Sequence, residues 1–114
     1  MSITEWSDDV LLVDLLPEPA LSDDLQQLLI AIGGVGVVAK HVILDFQQVN
    51  SLTSSNIASM LRIRKRVLQN KRRLFICAVN DRVWSIFMTA GLDDVFETSA
   101  EVSTALASVQ LGIE

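Results

Sequence analysis

Residues 42–61, VILDFQQVNSLTSSNIASML, decide the reading of this chain. An apolar run, Val42 to Leu44, ends at Asp45. A polar break follows, and Ser54 then opens a stretch with helical spacing. That is a strand, a turn and a helix start. The junction holds Ser51, Thr53, Ser54 and Ser55, more hydroxyls than one helix cap needs. A helix N-terminus presents unpaired backbone N–H groups and a partial positive charge. One hydroxyl satisfies a donor there, and the others remain available for other work.

Working outward, the helix is predicted over Ser54 to about Gln69. At 100° per residue, Ile57, Met60, Leu61, Val67 and Leu68 share one side with Ile63 at its margin. Ser59, Arg62, Lys65, Arg66 and Gln69 take the other side, so the helix is expected to lie on a sheet. Arg64 falls inside the apolar arc, which requires its stem to lie along the core while its charged head reaches solvent. Further strands are read at VLLVDLL, HVILDF, RLFICAV and, more weakly, DVFET, with a first strand at ITEW. Pro17 and Pro19 precede a helix from about Ser22 to Ile32, with Ser22 as its cap and Asp23 and Asp24 in its first turn. A third helix starts at Asn80 or Asp81 and ends at Gly91, with Val83, Ile86, Phe87 and Ala90 as its core face. A fourth runs from about Ala100 to Val109. Strands alternating with helices predict an α/β fold: a mainly parallel sheet of four to five strands, one antiparallel strand near the N-terminus, and about four helices.

Size and charge narrow the function. At 114 residues, half of them apolar, the chain suits one compact domain spanning residues 1–114. Glu5, Asp8 and Asp9 stand where an export signal would carry Lys or Arg. The longest apolar run, Leu28 to Ala39, is short of the roughly 20 residues that span a bilayer and is broken by glycines. A cytoplasmic protein without direct membrane insertion is expected. Net charge is -5, yet seven of the nine basic residues lie between Arg62 and Arg73. No aromatic interleaves that cluster, so a solvated face or a dock for an acidic partner is favoured over nucleic acid. One Cys, Cys77, and one His, His41, give no disulfide and no metal-ligand spacing; Cys77 reads as a small buried apolar residue and His41 as a surface residue. No cofactor loop appears, because GGVG at residues 33–36 follows a helix and lacks the Lys-Ser/Thr ending of a phosphate loop. Val35, Val37 and Val38 in that loop offer apolar surface a plain connection does not need. No nucleophile–base pair or convergent carboxylate pair marks an enzyme.

The segment VILDFQQVNSLTSSNIASML followed by RLFICAVNDRVWSIFMTAGLDDVFE resembles the STAS domain of bacterial anti-sigma factor antagonists. In that family a hydrophobic strand ends in Asp or Asn, an Asp-Ser-Ser/Thr-Gly-Leu-Gly turn opens a helix, and a later helix ends in Gly-Leu. Asp45, Ser54, Ser55, Ile57, Leu61, Val83, Phe87, Gly91, Leu92, Val95 and Phe96 fall in register with this pattern. The match is good over about residues 40–109 and holds in outline before that.

The resemblance implies a STAS-like fold and a partner switch. The unphosphorylated protein would bind a serine kinase that doubles as an anti-sigma factor, and phosphorylation of the first turn serine would end that binding. Matched position for position, the acceptor is Ser54, with Ser55 and Thr53 as neighbouring alternates. The family's Asp is Thr53 here, and its two glycines are Asn56 and Ala58. Thr53, Ser55, Asn56, Ala58, Ser59, Arg62 and Arg66 around the second helix are the expected partner contacts. Trp84 and Met88, four apart on the third helix, join them, since aromatic and Met side chains favour interfaces. Whether the chain forms a homodimer stays open. A second expectation is a phosphorylation-independent STAS assembly subunit, within a larger signalling complex or attached to a transporter ATPase.

Overall fold

The computed structural model describes residues 1–112. Its centre is β3 (His41–Asp45), in which Val42, Ile43 and Leu44 are all fully buried. Alternation along a strand sends Val42 and Leu44 to one face and Ile43 to the other. A strand with both faces covered must be apolar throughout, and each such side chain contributes roughly 1.5–3 kcal/mol by leaving water. β2 (Val10–Asp14) and β4 (Leu74–Cys77) flank it in parallel, and β5 (Glu97–Ser99) continues the parallel set beside β4. β1 (Ser2–Ser7) pairs antiparallel with β2 and completes a five-stranded sheet in the order β1-β2-β3-β4-β5.

Each parallel step is bridged by a helix: α1 (Ala20–Gly33), α2 (Ser54–Gln69) and α3 (Asp81–Thr89). Crossovers of one hand, stepping in one direction across a sheet, leave their helices on one side. Accordingly Leu21, Leu25 and Leu28 of α1, Met60, Ile63 and Val67 of α2, and Val83 and Phe87 of α3 share one core with Val13, Val42, Leu44 and Ile76. α4 (Val102–Leu111) covers the opposite face, where Ala105 meets Val10, Ile43, Phe75 and Cys77. The result is the α/β architecture expected from the sequence.

Several local expectations need correction. Ser22 does not cap α1: the helix starts at Ala20, and the Glu18 carboxylate caps it by accepting the Ser22 N–H at 2.7 Å and the Ser22 hydroxyl at 2.6 Å. Asp24 is buried and lies 3.3 Å from the Met1 amino group. In α2 the inward face is rotated from the predicted arc. Ile63 is fully buried, while Leu61 and Leu68 are exposed, because α2 also packs along α1 and not only on the sheet. Arg64 is half-buried, and its head turns back onto the protein where solvent was expected: its Nε donates to the Val95 carbonyl at 3.1 Å. β5 begins two residues after Val95, so Phe96 enters the core against Phe87 and only three edge residues pair. His41 is half-buried, and its Nδ1 accepts the Arg73 N–H at 2.9 Å.

Candidate functional site

The loop of residues 46–53 holds the candidate site in place through backbone bonds and three apolar anchors, Phe46, Val49 and Leu52. The Phe46 N–H donates to the Cys77 carbonyl and the Val49 N–H to the Phe46 carbonyl, both at 2.9 Å. Val49 and Leu52 sink into the core. With Leu52 turned inward, the next residues emerge at the surface. Thr53 caps α2: its hydroxyl accepts the Asn56 N–H at 3.1 Å, and Asn56 Oδ1 accepts the Thr53 N–H at 2.9 Å. This reciprocal pair satisfies two donors that a bare helix start would leave open.

Ser54 and Ser55 are then the first two residues of α2, and both are exposed. Neither hydroxyl has a hydrogen-bond partner among the described residues. The Thr53 hydroxyl is engaged as an acceptor; those of Ser54 and Ser55 are free. Ser54 lines a shallow groove of about 550 Å³ between α2 and α3, with Leu52 and Ile57 on one wall and Arg82, Ser85, Ile86 and Thr89 on the other. Among the described residues Arg82 is the only charged side chain lining it, so the groove combines an apolar floor with a cation. α3 is held in position by Asn80, whose Oδ1 accepts the Val83 N–H at 2.9 Å while its Nδ2 donates to the Val49 carbonyl at 3.2 Å. One asparagine thus ties the groove's second wall to the loop that presents Ser54.

The structure gathers some of the expected contact residues and separates others. Asn56 and Ser59 are buried rather than outward-facing. Asn56 Nδ2 reaches the Ser22 hydroxyl at 3.4 Å, and the Ser59 hydroxyl accepts from Gln26 Nε2 at 3.0 Å, so both belong to a polar seam between α1 and α2. The Ser22 hydroxyl in turn lowers the Glu18 pKa, by bonding to the ionised carboxylate. Ala58 is half-buried beside them. Trp84 is half-buried and packs edge-on against Phe87, with ring centroids 6.3 Å apart. Met88 is exposed, but Trp84 and Met88 lie roughly 140° around α3 from the groove wall, at 100° per residue. Arg62 and Arg66 sit on the last turns of α2, beside Gly33 and Gly34 at the end of α1. They lie at the pole opposite Ser54.

Leu52, Arg82, Ser85, Ile86 and Thr89 are among the groove residues that sequence reasoning missed. Ile86 was assigned wholly to the core, but it is half-buried, and its position next to the Val83–Phe87 stripe was the available signal. Among the described residues there is no group of three His, Cys, Asp or Glu side chains that could hold a metal ion. None of the helices described is long and apolar enough to cross a membrane.

The sequence profile of the STAS domain matches residues 2–105. Solved structures match over nearly the whole chain. An anti-sigma-factor antagonist (STAS) domain protein from Planctomyces limnophilus is 19% identical, covers 96% of this chain and 97% of its own, and superposes with a TM-score of 0.80. The Bacillus cell fate determinant SpoIIAA in its phosphorylated form is 16% identical, with coverage of 95% and 97% and a TM-score of 0.70. A sulfate transporter family protein from Wolinella succinogenes is 13% identical, with coverage of 90% and 84% and a TM-score of 0.69. At such identities the likeness is one of fold. None of the curated proteins matches the chain.

Proposed function

This chain belongs to the STAS domain family, and on that premise we propose that it is a cytoplasmic anti-sigma factor antagonist switched off by phosphorylation of Ser54. One observation carries the proposal: Ser54 is exposed at the start of α2, its hydroxyl has no partner among the described residues, and it lines the α2–α3 groove. The unmodified groove docks on a serine kinase that acts as the anti-sigma factor, with Ser55, Ile57, Arg82 and Ile86 as the contacts around Ser54. The kinase transfers the γ-phosphoryl group of ATP to Ser54 Oγ, the hydroxyl loses its proton, and ADP leaves. The phosphate brings about -1.5 to -2 charges to the positive end of the helix, where the fold tolerates an anion. A partner surface that fits a neutral hydroxyl does not tolerate it. Each 1.4 kcal/mol of repulsion or desolvation weakens binding tenfold, so a few kcal/mol releases the partner.

The experiment is phosphorylation by the cognate kinase with ATP, read by mass spectrometry and by binding. Wild type takes one phosphate and loses affinity by at least tenfold, Ser54→Ala takes none and stays bound, and Ser54→Asp binds weakly. Because the Ser54 hydroxyl makes no bond among the described residues, Ser54→Ala is a clean test, whereas Thr53→Ala also removes the helix cap. Equal labelling of wild type and Ser54→Ala rejects Ser54 as the acceptor.

The altered turn favours a second reading. Thr53, Asn56 and Ala58 replace the Asp and the two glycines of the antagonist pattern, and Asn56 is committed to the cap and to the α1–α2 seam. In this reading the chain is an assembly subunit that docks permanently, in a signalling complex or on a transporter ATPase, through the same groove. Protein purified from its own cells without phosphate under every growth condition, and still bound to its partner, supports this reading over the switch.

A further inference from the structure

We infer that the cavity beneath the loop of residues 33–40 is a binding site for a small amphiphilic anion, an unbranched alkyl carboxylate of about six to eight carbons. The cavity lies between the end of α1, the start of β2 and the last turn of α2, and it measures about 220 Å³. Ile3 and Leu11 of the sheet, Ile32 of α1, and Val37 and Val38 of the loop form apolar walls. At about 30 Å³ for each water-sized group, that volume holds a chain of roughly seven heavy atoms. The roof is unfinished: Val37 and Val38 are 49% and 68% exposed, an apolar lining with too little beneath it.

The mouth supplies the head-group chemistry. Arg62, Lys65 and Arg66 line the adjoining cleft, no carboxylate lines it with them, and none of the three has an ion pair among the described residues. Among the described residues Glu5 is the one acid lining the apolar cavity, and it pairs with Lys40 at 3.1 Å. The Arg66 guanidinium lies over the last turn of α1, in the space that a Cβ on Gly33 would enter. There the negative end of the α1 dipole holds the cation at the rim, where both cavities share it. A guanidinium beside an apolar slot matches a carboxylate on an alkyl tail. Ser54 and Arg66 are twelve residues apart on α2, about 18 Å at 1.5 Å per residue, so this site does not depend on the switch reading.

The test is an amide NMR titration of the full chain with sodium octanoate, with hexanoate, octanol and phosphatidylglycerol vesicles as comparisons. We expect saturable one-site shifts confined to residues 31–40 and the region around Arg66, with none at residues 54–57. Affinity should rise roughly threefold per methylene from hexanoate to octanoate. Octanol, and octanoate with Arg66→Ala, should each bind about tenfold more weakly. The inference is overturned by non-saturating octanoate shifts, by octanol binding as tightly as octanoate, by unchanged affinity in Arg66→Ala, or by binding to vesicles alone.

Discussion

The Thr53 hydroxyl accepts the Asn56 N–H at 3.1 Å while Asn56 Oδ1 accepts the Thr53 N–H at 2.9 Å, a closed pair that fixes where α2 begins. Asn56 is also buried, with its Nδ2 turned to the Ser22 hydroxyl. Asn56→Ala therefore removes the acceptor of the Thr53 N–H, the bond to the Ser22 hydroxyl and the side-chain volume of a buried position, at a predicted cost of about 2 kcal/mol. Thr53→Ala loses the cap alone, about 1 kcal/mol, and Thr53→Asp is predicted to be near neutral because a carboxylate caps equally well. Urea denaturation checks the order, and an Asn56→Ala midpoint equal to wild type refutes the structural role.

α2 ends on a second device. The Lys71 N–H donates to the Leu68 carbonyl at 3.0 Å and the Arg72 N–H to the Val67 carbonyl at 3.1 Å, the paired bonds of a helix stop that wants glycine between them. Lys71 occupies that place with φ 58°, a left-handed conformation that costs a residue with a Cβ roughly 1 kcal/mol. Lys71→Gly is predicted to stabilise the fold by about 0.5–1 kcal/mol, since relief of that strain exceeds the entropy glycine adds to the unfolded chain. Thermal unfolding reads the sign; a lower midpoint contradicts it.

The sheet was legible because β3 and β4 are apolar runs bounded by polar turns, and the start of α2 because a Thr-Ser-Ser cluster follows a strand. The polar seam was not. Asn56 and Ser59 look like surface residues by type, and only the closeness of α1 to α2 turns them inward, where Gln26 and Ser22 meet them. Helical periodicity measured against a sheet alone put the inward arc of α2 in the wrong place, since a helix packed on two neighbours buries a wider and rotated face. The role of Gly33 was also hidden. Its conformation needs no glycine; what a Cβ there would meet is the guanidinium end of Arg66, a neighbour that only the folded chain brings to it.

His41 gives the fold a pH-sensitive contact. Burial, together with the nearby Arg72 and Arg73 and against the opposing pull of Asp9, lowers its pKa below 6.5, and its Nδ1 must stay unprotonated to accept the Arg73 N–H. A lowered folded-state pKa contributes stability that is complete above about 6.5 and lost as pH falls through the folded value. As the chain has one His, its ring proton resonances give an unambiguous NMR titration. The predicted midpoint lies below 6.5, and His41→Gln is predicted to flatten the fall in stability between pH 7 and pH 5. A midpoint at or above 6.5 rules the buried contact out.

Cys77 makes the opposite prediction at high pH. It is fully buried on the α4 side of the sheet, and burial, followed by the Asp45 carboxylate, pushes its pKa from 9.0 up to about 12. The folded state keeps this proton when the unfolded chain has given it up. Its contribution to stability is complete below about 9.0 and is lost as pH climbs toward about 12, at roughly 1.4 kcal/mol per pH unit. Cys77→Ala lacks this thiol, so its stability should fall more gently than wild type between pH 9 and pH 10.5, although it starts lower by the cost of a small cavity. The same burial predicts that a thiol reagent at pH 8 labels Cys77 only when the chain unfolds, with labelling and loss of helix coinciding in urea. Labelling of the native protein within minutes, or parallel alkaline slopes in the two proteins, would place the thiol in water.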